Sequence, residues 1–138
     1  DFPTCHGSWW PAMDFAQALS LWRPLGILPD GTVLTANGLT AIHFLHRLLA
    51  LCTVSLLGWT AWRLHAAGLK RAGRALAGLV LLQVLTGISN VVLGWPLLAA
   101  LLHTGGAGAL LVVLVGTLAA TRPAAQGLSA PWALKGAR

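Results

Sequence analysis

Two histidines inside long apolar segments are the residues of this 138-residue chain best suited to do chemistry. His46 lies in LTAIHFLHRLLALC and His103 in WPLLAALLHTGGAGALL. An ionisable side chain within a membrane helix is costly and marks a functional site by default. Imidazoles on two helices that run in opposite directions could grip one metal ion from both sides. A zinc site usually takes three or four protein ligands, and His43 is the one residue near enough to be a third. Two histidines facing across a bundle suit axial ligation of a haem iron better, because the protein tunes haem through its axial ligands and pocket. The plainer alternative is a pair of polar residues hydrogen-bonded across the bundle, and the residues alone leave both readings open.

The elements that carry these side chains read as membrane spans. The chain is 57% hydrophobic and 9% charged, against about 25% charged residues in an ordinary soluble domain. Three apolar runs reach the roughly 20 residues needed to cross a bilayer, at about 40–64, 75–95 and 97–121. The expected fold is therefore an all-α integral membrane protein with three transmembrane helices. Residues 1–39 read as a loop outside the membrane, rich in proline and tryptophan, with a possible short surface helix over 14–21. Pro29-Asp30-Gly31 is a turn signal there. Residues 122–138 read as a tail.

A net charge of +6 could suggest nucleic acid, but its distribution argues for lipid. Arg63, Lys70, Arg71 and Arg74 cluster around the first inter-helix connection, and Arg122, Lys135 and Arg138 lie in the tail. All three acids, Asp1, Asp14 and Asp30, precede the first span. The positive-inside rule then makes the connection and tail cytoplasmic and the first forty or so residues extracytoplasmic. The basic groups orient the helices and meet anionic headgroups, and no nucleic-acid partner is expected. On this topology His46 and His103 each lie about six residues into a helix from its outer end. At roughly 1.5 Å per residue that is about 9 Å below the outer surface for both. An N-terminus outside requires an upstream segment to export it, so at least one preceding helix is expected.

Several residues around the pair could assist it. His43 is three residues before His46, on roughly the same helical face. It could be a second partner of the ligand, a contact to a haem propionate, or an interfacial histidine. Arg47 follows His46 directly, and its guanidinium fork could pair with a propionate; otherwise it snorkels or meets a neighbouring helix. Gly105, Gly106 and Gly108 follow His103 and would admit either a neighbouring helix or a flat ligand. The second span carries Gln83, Thr86, Ser89 and Asn90. His6 and His65 read as solvated loop residues. Cys52 reads as a small apolar residue within its helix. Cys5 sits on the oxidising side, where disulfides persist, and a bond from it to mid-membrane Cys52 is implausible.

These residues together resemble the haem A synthase family. The opening DFPTCHGSWWP is similar to its extracytoplasmic loop, in which a cysteine pair brackets a C-x-D-[FW]-P-x-C segment. His46-Arg47 followed by Leu48-Leu49-Ala50 resembles its HR-x-x-A helix motif, and LQVLTGISNVVLGWPLLAALLHTGGAGALL resembles its last two helices. The resemblance covers about residues 1–121. It implies an eight-helix protein of two four-helix halves, of which this chain is most of the second. The first half of such proteins has Glu three residues before the HR histidine, where this chain has His43.

By that resemblance, His46 and His103 are the axial ligands of a haem b that transfers electrons. Arg47, Gly105 and Gly106 would line the cofactor, and Cys5 would belong to a disulfide with a partner upstream of Asp1. The whole protein would oxidise a ring methyl of haem O to a formyl group in the inner membrane, giving haem A for terminal oxidases. Its partners would be the missing N-terminal half, haem O synthase, oxidase assembly factors and lipid. The catalytic groups would lie in the other half. Competing readings are a non-enzymatic cytochrome b-like haem-binding subunit, which needs the same two histidines, and a small transporter, which predicts polar faces on several helices.

Overall fold

The computed structural model describes residues 3–20, 22 and 24–122. The tail beyond Arg122, including Trp132, and residue Asp1 lie outside them. Four helices follow one another: α1 (Phe15–Ala18), α2 (Ala36–Ala66), α3 (Lys70–Val92) and α4 (Leu97–Thr121). The last three are long and apolar enough to cross a membrane. The protein is an all-α, multi-pass membrane protein. Its leucines and valines face outward in a way no water-soluble bundle tolerates, as with Leu101 at 61% and Val112 at 72% exposure.

The helices are longer at their ends than apolarity alone suggests. The first span, read from residue 40, starts at Ala36 because Thr35 caps it. The Thr35 hydroxyl accepts from Gly38 N at 3.2 Å and donates to Gln17 Oε1 at 2.9 Å. Gln17 Oε1 also takes Thr35 N at 3.0 Å, and Asp14 N donates to Asn37 O. The loop thus docks on the first turn of α2. At about 1.5 Å per residue, the 31 residues of α2 extend roughly 46 Å, well beyond a hydrocarbon core of about 30 Å. The surface helix is also shorter than the 14–21 expected: Asp14 caps Phe15–Ala18 by accepting from Gln17 N at 3.0 Å.

The second span, read as about 75–95, runs Lys70–Val92. Its start is basic, but lysine and arginine are good helix formers, so the connection shrinks to three residues, 67–69. Both inter-helix turns use one device. Gly68 and Gly94 adopt left-handed φ values of +85° and +69°. The amide after each donates back into the helix, Leu69 N to Leu64 O at 2.9 Å and Trp95 N to Asn90 O at 2.8 Å. These are Schellman closures, which satisfy carbonyls otherwise stranded at a helix end. Trp95 is itself left-handed at φ +64°, and Pro96 then caps α4.

In the loop, Leu28 N donates to Thr32 O and Gly31 N to Leu28 O around the Pro29-Asp30-Gly31 turn. The Thr32 hydroxyl, and then its amide, donate to the Asp30 carboxylate and hold its pKa below the usual range. The turn is therefore tightest with Asp30 ionised and loosens as the pH falls through that lowered value.

α3 is the central helix. It packs along both α2 and α4, whereas no Cα of α2 lies within 8 Å of one in α4. Toward the Gly68 turn the three helices share an apolar core of Ala61, Leu76, Val80 and Leu110, lined by Leu57, Leu64 and Leu114. Leu76 is fully buried. Several serine and threonine hydroxyls in the spans return to a carbonyl four residues back, as Ser55 does to Leu51 and Thr117 to Val113. Such back-bonding satisfies a hydroxyl where no water can.

The backbones of α2 and α3 approach closely at Gly73. A Cβ there would stand 2.8 Å from Ala61 O and 3.0 Å from His65 N, both backbone atoms that cannot swing away. Gly73→Ala is expected to push α2 from α3 and lower stability by about 1–3 kcal/mol, read as an earlier unfolding midpoint in denaturing detergent.

Candidate metal centre

The loop end of the bundle is polar where the other end is dry. α3 turns Gln83, Thr86 and Asn90 to one face, at the three- and four-residue spacing that aligns side chains on a helix. Thr86 and Asn90 are buried at 7% and 3% exposure. Ser89 points away and bonds back to Leu85 O. The face meets α4 at His103. The His103 carbonyl accepts from Gln83 Nε2 at 2.9 Å, and the Thr86 hydroxyl lies 3.1 Å from His103 Nδ1. The Oδ1 atom of Asn90 has no hydrogen-bond partner among the described residues.

Glycines make these contacts possible. A Cβ on Gly87 would stand 3.2 Å from His103 Cε1, so the imidazole lies directly against the α3 backbone. At Gly106 the space a Cβ would need is filled by the Gln83 amide. Gly106 is thus a packing glycine of the α3–α4 contact, while the positions beside Gly105 and Gly108 are open.

From the other side of the bundle α2 presents His46. Its ring and that of His103 face each other with centroids 6.5 Å apart and planes inclined at 66°. The residues therefore meet although their helices do not pack directly. A ring nitrogen lies roughly 1.2 Å from its centroid, so the nearest nitrogens come no closer than about 4 Å, beyond hydrogen-bond range. The two imidazoles are not bonded to each other. A separation of at least about 4 Å leaves room for a metal ion between the rings, at metal–nitrogen bonds of about 2 Å each. Among the described residues no group of three or more His, Cys, Asp or Glu could hold a metal ion. Two imidazole rings with no third ligand grouped beside them among the described residues fit an iron already held by a macrocycle.

His43 lies half-buried one turn nearer the loop. Arg47 has partners that the sequence did not suggest. Its Nη1 donates to Pro3 O at 3.0 Å and Thr4 O at 3.1 Å, so the side chain straps the N-terminal loop to α2. His6, read as merely solvated, is exposed but lies 3.3 Å from the Thr40 hydroxyl through Nε2. Trp10 packs edge-on against Phe44 at 5.3 Å. Cys5 is buried in a tight turn in which Cys5 and Ser8 exchange both backbone hydrogen bonds. Cys5 and Cys52 are not bonded to each other.

Thr86, Gln83 and Gly87 acquire a role that the sequence reading had not given them. A signal was available. Thr86 and His103 lie equally far along the chain from the Gly94-Trp95 turn, and so do Gln83 and Gly106. In an antiparallel helix pair such residues are neighbours.

The pattern of histidines, loop and turn matches known proteins. Residues 1–115 match the COX15-CtaA family, cytochrome oxidase assembly protein. The chain belongs to this family. Over 114 residues it is 40% identical to the Heme A synthase of Shewanella oneidensis, which covers 82% of this chain and 34% of that protein. It is 32% identical over 107 residues to the Heme A synthase of Beijerinckia indica subsp. indica, covering 74% of this chain and 27% of that protein. The chain therefore spans about a third of the length of the curated relatives it matches. No solved structure gives a significant match. As a COX15-CtaA member the chain is a haem A synthase relative, and the matched residues contain the N-terminal loop and both histidines.

Two outcomes follow from the packing. Gly106→Ala sets a methyl group against the Gln83 amide and should break its bond to His103 O, lowering stability by about 1–2 kcal/mol in detergent unfolding. Arg47→Met removes charged hydrogen bonds worth about 1.5–3 kcal/mol. Under reducing conditions, maleimide labelling of the buried Cys5 should then be roughly tenfold faster than in the parent, because labelling follows local opening.

Proposed function

We propose that this chain forms the haem b-binding, electron-transferring part of a haem A synthase, an oxidoreductase of haem A biosynthesis that converts a ring methyl of haem O to a formyl group. The observation that carries the proposal is the pair His46 and His103, with ring centroids 6.5 Å apart on helices that both pack along α3. When bound, haem iron supplies one-electron chemistry.

The residues of the chain do the remaining work. His46 from α2 and His103 from α4 would hold the iron through their imidazole nitrogens. A group held by two protein nitrogens would serve electron transfer rather than methyl oxidation here. The strap from Arg47 holds the N-terminal loop at the end of the bundle nearest the pair. Methyl oxidation belongs on this reading to the remainder of the full-length protein, which would receive haem O as its substrate. By the positive-inside rule, the loop faces outward from the inner membrane and the tail is cytoplasmic.

The test is the reduced-minus-oxidised visible spectrum of the full-length protein, beside His46→Ala and His103→Ala. A low-spin b-type spectrum that is lost or turned high-spin in either variant is expected. A folded parent protein without haem would overturn the ligand pair. Haem bound normally, with haem O left unconverted by the full-length protein, would leave a cytochrome b-like carrier instead.

A further inference from the structure

The two candidate ligands are not held alike. His46 is exposed along the slot, whereas α3 grips His103 at three points: Gln83 at its carbonyl, Thr86 at its Nδ1 atom and Gly87 beneath its ring. The Thr86 hydroxyl has one proton to give. That proton goes to Leu82 O at 2.7 Å, with Gln83 O a longer second acceptor at 3.4 Å. Toward His103 the oxygen can therefore only accept, so Nδ1 must be the donor. A neutral imidazole carries a single N–H, and the Nε2 lone pair is left free.

We propose that Thr86 is a positioning residue, which fixes His103 as its Nδ1–H tautomer and so presents Nε2 as the metal-binding nitrogen before any metal arrives. Gly87 completes the device, because the ring reaches Thr86 only by lying on the α3 backbone, in the space a Cβ would crowd at 3.2 Å from Cε1. Interhelical hydrogen bonds in membranes add little on average to helix association. This one matters for orientation and tautomer far more than for holding the helices together. Hydrogen bonds from the remote nitrogen of a ligating histidine fix its ring and raise its basicity. The role in ligation rests on the bis-histidine reading above, whereas the tautomer assignment stands on the hydrogen bonds alone.

The full-length protein separates the two. In a haem-free preparation, 15N spectra of labelled histidine should show His103 neutral and protonated at Nδ1, in the parent and in Thr86→Ser. In Thr86→Val the proton should redistribute toward Nε2. A parent protein with His103 protonated at Nε2 would overturn the proposal without any variant, so a Thr86→Val that fails to fold leaves it testable.

In the haem-loaded protein, Thr86→Val should retain haem about 10- to 100-fold less tightly. Its midpoint potential should rise, since a less basic imidazole favours ferric iron less, and Thr86→Ser should restore both. Parent-like retention and potential in a folded Thr86→Val would overturn the positioning role. If the tautomer follows Thr86 as stated but the parent binds no haem, the ligand reading fails and the hydrogen-bond assignment survives.

Discussion

In hydrocarbon a polar side chain has no water to turn to, and its partner must come from the protein. This constraint shapes α3. A helix between two others can bury one face on each side, so α3 is where a polar stripe can be satisfied. Gln83 and Thr86 spend their capacity on His103, and Thr86 also returns its proton to its own helix. Without that stripe the Nδ1 atom of His103 would be left in an apolar surround, at a cost of roughly 1–3 kcal/mol for an unmade bond. The hydroxyl of Thr86 makes a histidine on α4 tolerable at this depth. The same bond that makes it tolerable settles which nitrogen is exposed.

The thickness of α3 has a second consequence. Gly73 draws α2 close at the far end, where Ala61, Leu76, Val80 and Leu110 close into a dry core. At the loop end α2 and α4 still stand on opposite flanks of α3, and only their side chains can meet. Imidazoles are long enough to approach across this space but not to bond to each other. The spacing of His46 and His103 is thus set by the helix between them rather than by any contact of their own. A rigid spacer of this kind suits a ligand pair, since neither ring has to give up a partner in order to take a shared metal.

The three spans, their order and the two histidines at matching depth were legible because apolar runs and the residues interrupting them stand out in sequence. The ends of the helices were less so. Lys70 and Arg71 look like loop by polarity yet are helical, and Ala36 to Gly38 become helix only because Gln17 and Asp14 dock on them from a distant part of the chain. The polar run Gln83, Thr86, Ser89, Asn90 was visible, but its division into buried and exposed faces depends on where α4 lies. Gly106 was open to two readings in sequence, and the Gln83 amide beside it decides for packing. Arg47 was beyond reach for another reason. Two of its acceptors are the backbone carbonyls of Pro3 and Thr4, and every residue has a carbonyl, so no residue type announces them.

That strap ties the loop to the site by an indirect route. Arg47 is the residue after His46, about 100° around the helix, so it can hold the loop without laying it over the histidine. The contacts of His6 with Thr40 and Trp10 with Phe44 extend the same seam toward the end of α2. They keep the loop on a flank of α2 while His46 stays open along the slot. The stretch of loop before the Cys5 turn is tied to the helix that carries His46, through the Pro3 and Thr4 carbonyls. The site thus combines one histidine fixed by its neighbours with one whose helix also answers to the loop.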